Sequence, residues 1–167
     1  MIHSIIEKLD HLLHFQRASA HCDIPCGIYD PHQAQVAVLT VIRMIDMLTD
    51  LDAQSPEVKK VDYHNSVTRY IAIKEEHAEL CKREVRVIFG DYFKKEHVEK
   101  YPELPELTHK IFQLGSKVRQ SASREHALQL LDMVNRFAEI YWETKGVATK
   151  RVKAPYKPNE EMTYPIL

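Results

Sequence analysis

The sequence predicts an all-α protein, an antiparallel four-helix bundle preceded by an N-terminal metal-binding hook. Four amphipathic stretches joined by short connections favour the bundle. The chain has only four glycines among 167 residues and little alternation of β-branched residues. It also has no run of 18 apolar residues, so no transmembrane helix is expected. With 44% hydrophobic residues, the chain can bury one sizeable core.

Boundary signals separate the helices. Asp30 is suited to cap the first helix, with Pro31 at its first position, and this helix is expected to run to about residue 51. Ser55-Pro56-Glu57 opens the second segment, whose helix can start somewhat later and carries apolar residues from about 67 to 89. The third spans about 105–119. Ser123 is expected to cap the fourth, whose apolar core positions extend to Tyr141, and Gly146 is expected to end it. Residues 91–103 between the second and third helices are aromatic and charged.

Charge and cysteine content exclude several classes. The formal net charge is −1, which gives no electrostatic reason to expect nucleic acid or an anionic membrane as a partner. Three cysteines make a disulfide framework improbable. Cys81 falls on an apolar helical stripe and is expected to be a buried small hydrophobe.

Residues 1–20 are expected to be a leader. Their apolar positions form one stripe of an amphipathic helix: Ile2, Ile5, Ile6, Leu9, Leu12 and Leu13. Charged residues, such as Glu7 and Asp10, interrupt any export-type apolar core, although the segment 18–20 resembles an export cleavage site. An export signal and a first helix of the fold are the alternatives. The preferred interpretation is a propeptide that a processing peptidase removes between Ala20 and His21.

That cleavage would give the next segment a complete set of metal donors. The new His21 amine and the Cys22 amide nitrogen form one chelate ring, and the Cys22 thiolate closes a second. Pro25 brings the Cys26 thiolate round to a fourth position, with the His21 imidazole available axially. Planar nitrogen and sulfur donors favour Ni(II) or Cu(II) over tetrahedral Zn(II). A Cys22–Cys26 disulfide is the simpler alternative, and a reducing compartment would oppose it.

The segment from His21 to Pro31 resembles the nickel hook of nickel-containing superoxide dismutases, whose mature chain begins His-Cys-Asp-x-Pro-Cys-Gly-x-Tyr-Asp-Pro. The resemblance covers about residues 21–146. Further blocks occur in the family's order: Ile73-Lys74-Glu75, Ala78-Glu79-Leu80, Asp91-Tyr92-Phe93-Lys94, Glu99-Lys100-Tyr101-Pro102-Glu103-Leu104 and Trp142-Glu143-Thr144-Lys145.

The resemblance implies an enzyme that disproportionates superoxide to dioxygen and hydrogen peroxide by cycling one nickel ion per subunit between two oxidation states. It implies a homohexamer of four-helix bundles and a dedicated leader peptidase. A cytoplasmic location is favoured, because the leader is not a standard export signal. The expected domains are the leader (1–20), the hook and bundle (21–146) and an extended tail (147–167), either solvated or laid across a neighbouring subunit.

Carried over by position, the nickel ligands are His21, Cys22 and Cys26. Tyr29 and Tyr92 match tyrosines beside the nickel pocket. Asp23 matches an acidic residue of the hook, and Lys94 matches a lysine that could attract the anion; for Tyr92 and Lys94, ordinary loop packing and a solvated charge are the alternatives.

Two positions depart from the family pattern. The usual Glu and Arg that orient the axial imidazole align with Ala37 and His77. We hypothesise that His77, or a water molecule, supplies a replacement hydrogen bond, and a surface histidine is the alternative. At the level of function, the alternatives are a nickel carrier or sensor without turnover and a helical protein whose Cys22 and Cys26 are incidental.

Overall fold

The computed structural model describes residues 27–54 and 59–167, most of which lie in helices. In chain order, the elements are α1 (His32–Ala53), α2 (Lys60–Val87), a π-helical turn (Ile88–Tyr92), α3 (Lys95–Lys100), α4 (Leu104–Gln120), α5 (Arg124–Thr144), β1 (Thr149–Lys153) and β2 (Glu161–Pro165).

The four long helices share one hydrophobic core. α1 packs against α2 and α5, and α4 also packs against α2 and α5, so each long helix contacts two others. The core residues recur at helical spacing and are fully buried, among them Val38, Ile42, Ile111, Leu130 and Phe137. Burying one such side chain stabilises the fold by about 1.5–3 kcal/mol.

Side chains and one glycine define three helix ends. The Asp30 carboxylate accepts a hydrogen bond from the His32 N–H at 2.8 Å, and the Ser123 hydroxyl accepts one from the His126 N–H at 3.2 Å. Both bonds satisfy backbone donors that have no partner within the first turn. After α5, Gly146 adopts φ +71°, a left-handed conformation that glycine tolerates and that ends the helix.

The second helix begins at Lys60, between the opening expected at Ser55-Pro56-Glu57 and the apolar positions from about residue 67. At the C-terminal end of α2, the π-helical turn ends the helix. Phe93 then adopts an extended conformation, and its ring is buried. The expected aromatic and charged connection at 91–103 therefore contains ordered structure, including α3. Buried Tyr101 anchors its other end.

The all-α prediction needs one correction, because residues 149–165 form an antiparallel β-hairpin. The register pairs Thr149 with Pro165 and Val152 with Met162. The tail was expected to be solvated or to lie on a neighbouring subunit, but Met162 is fully buried against the chain's own core. Three tail prolines, Pro155, Pro158 and Pro165, concealed the short strands from sequence analysis, since proline normally argues against a strand.

None of the helices described is long and apolar enough to span a membrane.

Candidate functional site

The structure shows how the predicted metal-binding segment is attached to the helices. We call residues 27–31 the hook root, because they join residues 21–26 to α1. Gly27 adopts φ +73°, a left-handed conformation that residues with a side chain rarely adopt. The predicted ligands His21, Cys22 and Cys26, together with Asp23 and the cleavage position after Ala20, lie outside the described residues.

The hook root is fixed to α5 by a buried tyrosine. The Tyr141 hydroxyl donates a hydrogen bond to the Tyr29 carbonyl oxygen at 2.5 Å. Burial, with smaller contributions from Tyr92 and Asp30, raises the pKa of Tyr141 to about 12. The hydroxyl therefore remains protonated at neutral pH and keeps its role as a donor.

Two predicted site residues come together here. The ring centroids of Tyr29 and Tyr92 are 5.8 Å apart, and those of Tyr92 and Tyr141 are 4.8 Å apart. We call these three side chains the tyrosine cluster. The Thr144 hydroxyl donates to the Tyr141 carbonyl at 2.6 Å. Since that uses its only proton, the Tyr92 hydroxyl must be the donor in its 2.6 Å bond to Thr144 Oγ1.

A histidine and a lysine both contact the Tyr92 ring. The His97 ring stacks on Tyr92 with centroids 5.4 Å apart and planes 12° apart. The Lys145 ammonium lies 4.5 Å from the centroid of the Tyr92 ring, within range of a cation–π interaction. The predicted anion-attracting residue, Lys94, lies nearby in sequence, but its ammonium donates to the Asp91 carbonyl at 2.8 Å.

His77 lies on α2 with its Nδ1 3.0 Å from the Ile73 carbonyl oxygen. Because a carbonyl only accepts, Nδ1 carries the proton in this contact, and in a neutral ring Nε2 is then an acceptor. Ala37 is buried in the core on α1. Among the described residues, no hydrogen bond or ring contact joins His77 to the tyrosine cluster.

The part of the chain that the structure describes contains no group of three His, Cys, Asp or Glu side chains that could hold a metal. Cys81 is fully buried, as predicted, and burial raises the pKa of its thiol to about 12. An open cleft between α1, α2 and α4 lies beside Leu48 and Lys74. Leu48 is 16 residues beyond His32, about 24 Å along α1, so the cleft is remote from the hook root.

Sequence analysis missed four contributors to this site: His97, Tyr141, Thr144 and Lys145. Tyr141 was expected only as a core position of the fourth helix, Thr144 and Lys145 only as part of a family block, and His97 was not singled out. Apolar spacing indicates that a tyrosine is buried but does not show which carbonyl its hydroxyl meets. The pairing with Tyr29 spans 112 positions in the chain and required the structure.

Comparison with known proteins identifies a family. The profile of nickel-containing superoxide dismutases matches residues 16–145. A nickel superoxide dismutase from Streptomyces coelicolor is 39% identical over 127 residues, which cover 76% of this chain and 89% of that protein. Another, from Streptomyces seoulensis, is 36% identical, with 77% of this chain and 91% of that protein covered.

Solved structures give the same result. The native structure of a nickel superoxide dismutase superimposes with a TM-score of 0.66 at 36% identity, and the match covers 75% of this chain and 99% of that one. With both a family profile over most of the chain and relatives above 30% identity, the chain belongs to the family of nickel-containing superoxide dismutases.

Proposed function

We propose that this chain, once it begins at His21, is a nickel superoxide dismutase that converts two superoxide ions and two protons into dioxygen and hydrogen peroxide. The family match over residues 16–145 carries this proposal. The structure supports it because the hook root is clamped beside two tyrosines at the position where the donor segment joins the helices.

The donors of the sequence fit nickel. His21 would supply its amine and imidazole, Cys22 its amide nitrogen and thiolate, and Cys26 its thiolate. Amide and thiolate donors stabilise the higher oxidation state, so bound nickel supplies a one-electron couple that both oxidises and reduces superoxide. Gly27 follows Cys26 directly, and its left-handed conformation supports a sharp change of chain direction there.

The described residues would control access to the nickel. Tyr29 and Tyr92 would form one wall of the pocket and exclude ligands larger than superoxide. Tyr141 would fix the carbonyl of Tyr29, and Thr144 would orient the Tyr92 hydroxyl. We also propose that Asp23 corresponds to the acidic residue in the family's nickel hook.

We propose that Lys94 and Lys145 together attract the anion. Replacing both with Met is expected to lower kcat/KM by about three- to tenfold at low salt and to flatten its salt dependence, because steering of a charged substrate is screened by ions. Pulse radiolysis at several ionic strengths measures both effects. Lys60→Met, at the start of α2, is the control and should change neither; an unchanged salt slope in the double variant would refute the proposal.

We propose that His77 substitutes for the family's usual contact to the axial imidazole. Its Nε2 can accept a hydrogen bond while Nδ1 donates to Ile73. His77→Ala is then expected to change the electron paramagnetic resonance signal of Ni(III) and to lower turnover about tenfold or more, as loss of an outer contact does at other metal sites. His64→Ala, on the same helix, is the control. An unchanged nickel signal in His77→Ala would end this idea.

We further propose that the four long helices form an antiparallel bundle. Six such subunits would assemble, each with one nickel ion. A peptidase would remove residues 1–20 in the cytoplasm. The helix contacts support the bundle, since each long helix packs against two others. The family resemblance supports the assembly and the processing.

The decisive test compares the chain beginning at His21 with the full-length chain after identical nickel loading. We expect dismutase activity and an anisotropic Ni(III) resonance signal only in the trimmed chain, because the longer chain has no free His21 amine. Nickel binding without activity would instead indicate a carrier. Absence of nickel binding in both forms would refute the metal proposal itself.

A further inference from the structure

The C-terminal hairpin lies beyond the region that the family shares, because the family profile ends at residue 145. It is nevertheless firmly attached to the helices. Met162 and Thr163 of β2 are buried, and Ala154 is buried after β1. A segment added outside the shared region and anchored this closely suggests a specific role for its anchoring points.

The first anchor is on α1. The Gln35 side-chain amide donates to the Thr163 carbonyl at 3.1 Å, and its oxygen accepts from the Thr163 N–H at 2.7 Å. Gln35 therefore pairs with the outer edge of β2 as a neighbouring strand would. Only 1% of each residue is exposed, so water cannot replace these bonds if they are broken.

The second anchor is on α5. The Asn135 side chain accepts from the Thr163 N–H at 3.1 Å and donates to the Glu161 carbonyl at 2.8 Å, and the Thr163 hydroxyl donates to the Asn135 carbonyl at 3.2 Å. Both polar ends of the Asn135 amide are thus used. Because Gln35 and Asn135 meet at Thr163, β2 joins α1 to α5 at one buried point.

This point lies close to the hook root. The Gln35 N–H bonds to the Pro31 carbonyl at 3.2 Å, so Gln35 is one helical turn from the last residue of the hook root. Asn135 precedes Tyr141 by six residues, about 9 Å along α5. The same helix therefore holds the hook root directly, through Tyr141, and holds the first turn of α1 indirectly, through Thr163.

We propose that Gln35 and Asn135 are positioning residues of the nickel centre, which act by locking the hairpin across the first turn of α1 and so fixing the hook root from two sides. This inference rests on the proposed function. Its consequence is that releasing the hairpin loosens the bound metal before it unfolds the helices, since the large apolar core remains in place.

The test uses the nickel-loaded chain beginning at His21. Gln35→Met keeps the length of the side chain but removes both bonds to Thr163. We expect nickel loss to a chelator to be about tenfold faster, in line with the effect of outer contacts on metal affinity. Amide hydrogen exchange should rise at Thr163 and at the residues with an amide hydrogen between 29 and 36, while the far-ultraviolet circular dichroism is unchanged. The same chain ending at Val147, which lacks the hairpin, is the second variant and should show the same faster nickel loss and the same rise in exchange between residues 29 and 36.

The matched control is Glu160→Gln. It removes the charge of Glu160 from the ion pair with Arg124, 2.6 Å apart at the turn end of the hairpin, and keeps an oxygen that can accept the hydrogen bond. It should leave nickel loss within about twofold of wild type, as expected for an ion pair near the surface. If Gln35→Met releases the hairpin but keeps nickel as long as wild type does, the inference is wrong and the proposed function stands. If the wild-type trimmed chain binds no nickel, the proposed function fails first.

Discussion

Replacing either Cys22 or Cys26 with Ser is expected to lower dismutase activity by about 1,000-fold or more and to abolish the Ni(III) resonance signal. Each thiolate is proposed as a nickel donor, and a serine hydroxyl is neither deprotonated at neutral pH nor a soft ligand. Such a loss corresponds to about 4 kcal/mol of transition-state stabilisation. Activity and nickel content should be measured on the same trimmed preparations.

The third cysteine provides the control. Cys81 is buried, with a pKa raised to about 12, so it is neither reactive nor accessible to a metal near neutral pH. Cys81→Ala should keep full activity and nickel content, with a stability loss of about 1 kcal/mol from the lost core volume. Retention of nickel in Cys22→Ser or Cys26→Ser, or loss of activity in Cys81→Ala, would contradict the proposed ligand assignment.

Sequence analysis predicted the helices whose formation depends on residues close together in the sequence. Apolar spacing and capping residues led to α1, α4 and α5, because Asp30, Ser123 and Gly146 act through bonds or backbone angles within a few residues of themselves. The hairpin was not predicted, because its position depends on Thr163 meeting side chains 28 and 128 residues away. Hydrophobic periodicity does not reveal contacts between residues so far apart in the sequence.

The site shows the same division. Tyr29 and Tyr92 were identified through family blocks, and the structure brings their rings together. The residue that fixes them, Tyr141, was visible only as an apolar position on a helix stripe. Lys94 was expected to attract the anion, and its ammonium bonds to the Asp91 carbonyl. Lys145, which sequence analysis did not single out, has its ammonium 4.5 Å from the centroid of the Tyr92 ring. Sequence analysis found residue types suited to the chemistry, but contact partners depend on how α5 packs.

At the other end of the fold, a buried lysine closes a helix terminus. Lys74 is 3% exposed and donates to the carbonyls of Val118, Arg119 and Ser121 at 2.7, 2.5 and 3.2 Å. The last carbonyls of a helix have no partner within the helix, so these bonds satisfy acceptors at the end of α4. Burial lowers the pKa of Lys74, and Glu75, with its carboxylate 3.5 Å away, partly opposes that shift.

Lys74→Met is therefore expected to lower the free energy of unfolding by about 2–4 kcal/mol, because it leaves the buried Val118 carbonyl and two partly buried bonding positions at the end of α4 without their donor. Urea unfolding followed by circular dichroism measures this loss. Lys82→Met, on the same helix, is the matched control: the Lys82 ammonium makes one 3.3 Å hydrogen bond to Ser116 and an ion pair with Glu79 at 3.6 Å, and losing both should cost less than about 1 kcal/mol. Nickel content and turnover of folded Lys74→Met should stay within about twofold of wild type, since Lys74 borders the cleft remote from the hook root. Equal stabilities of the two variants would show that the hydrogen bonds of Lys74 do not stabilise the end of α4.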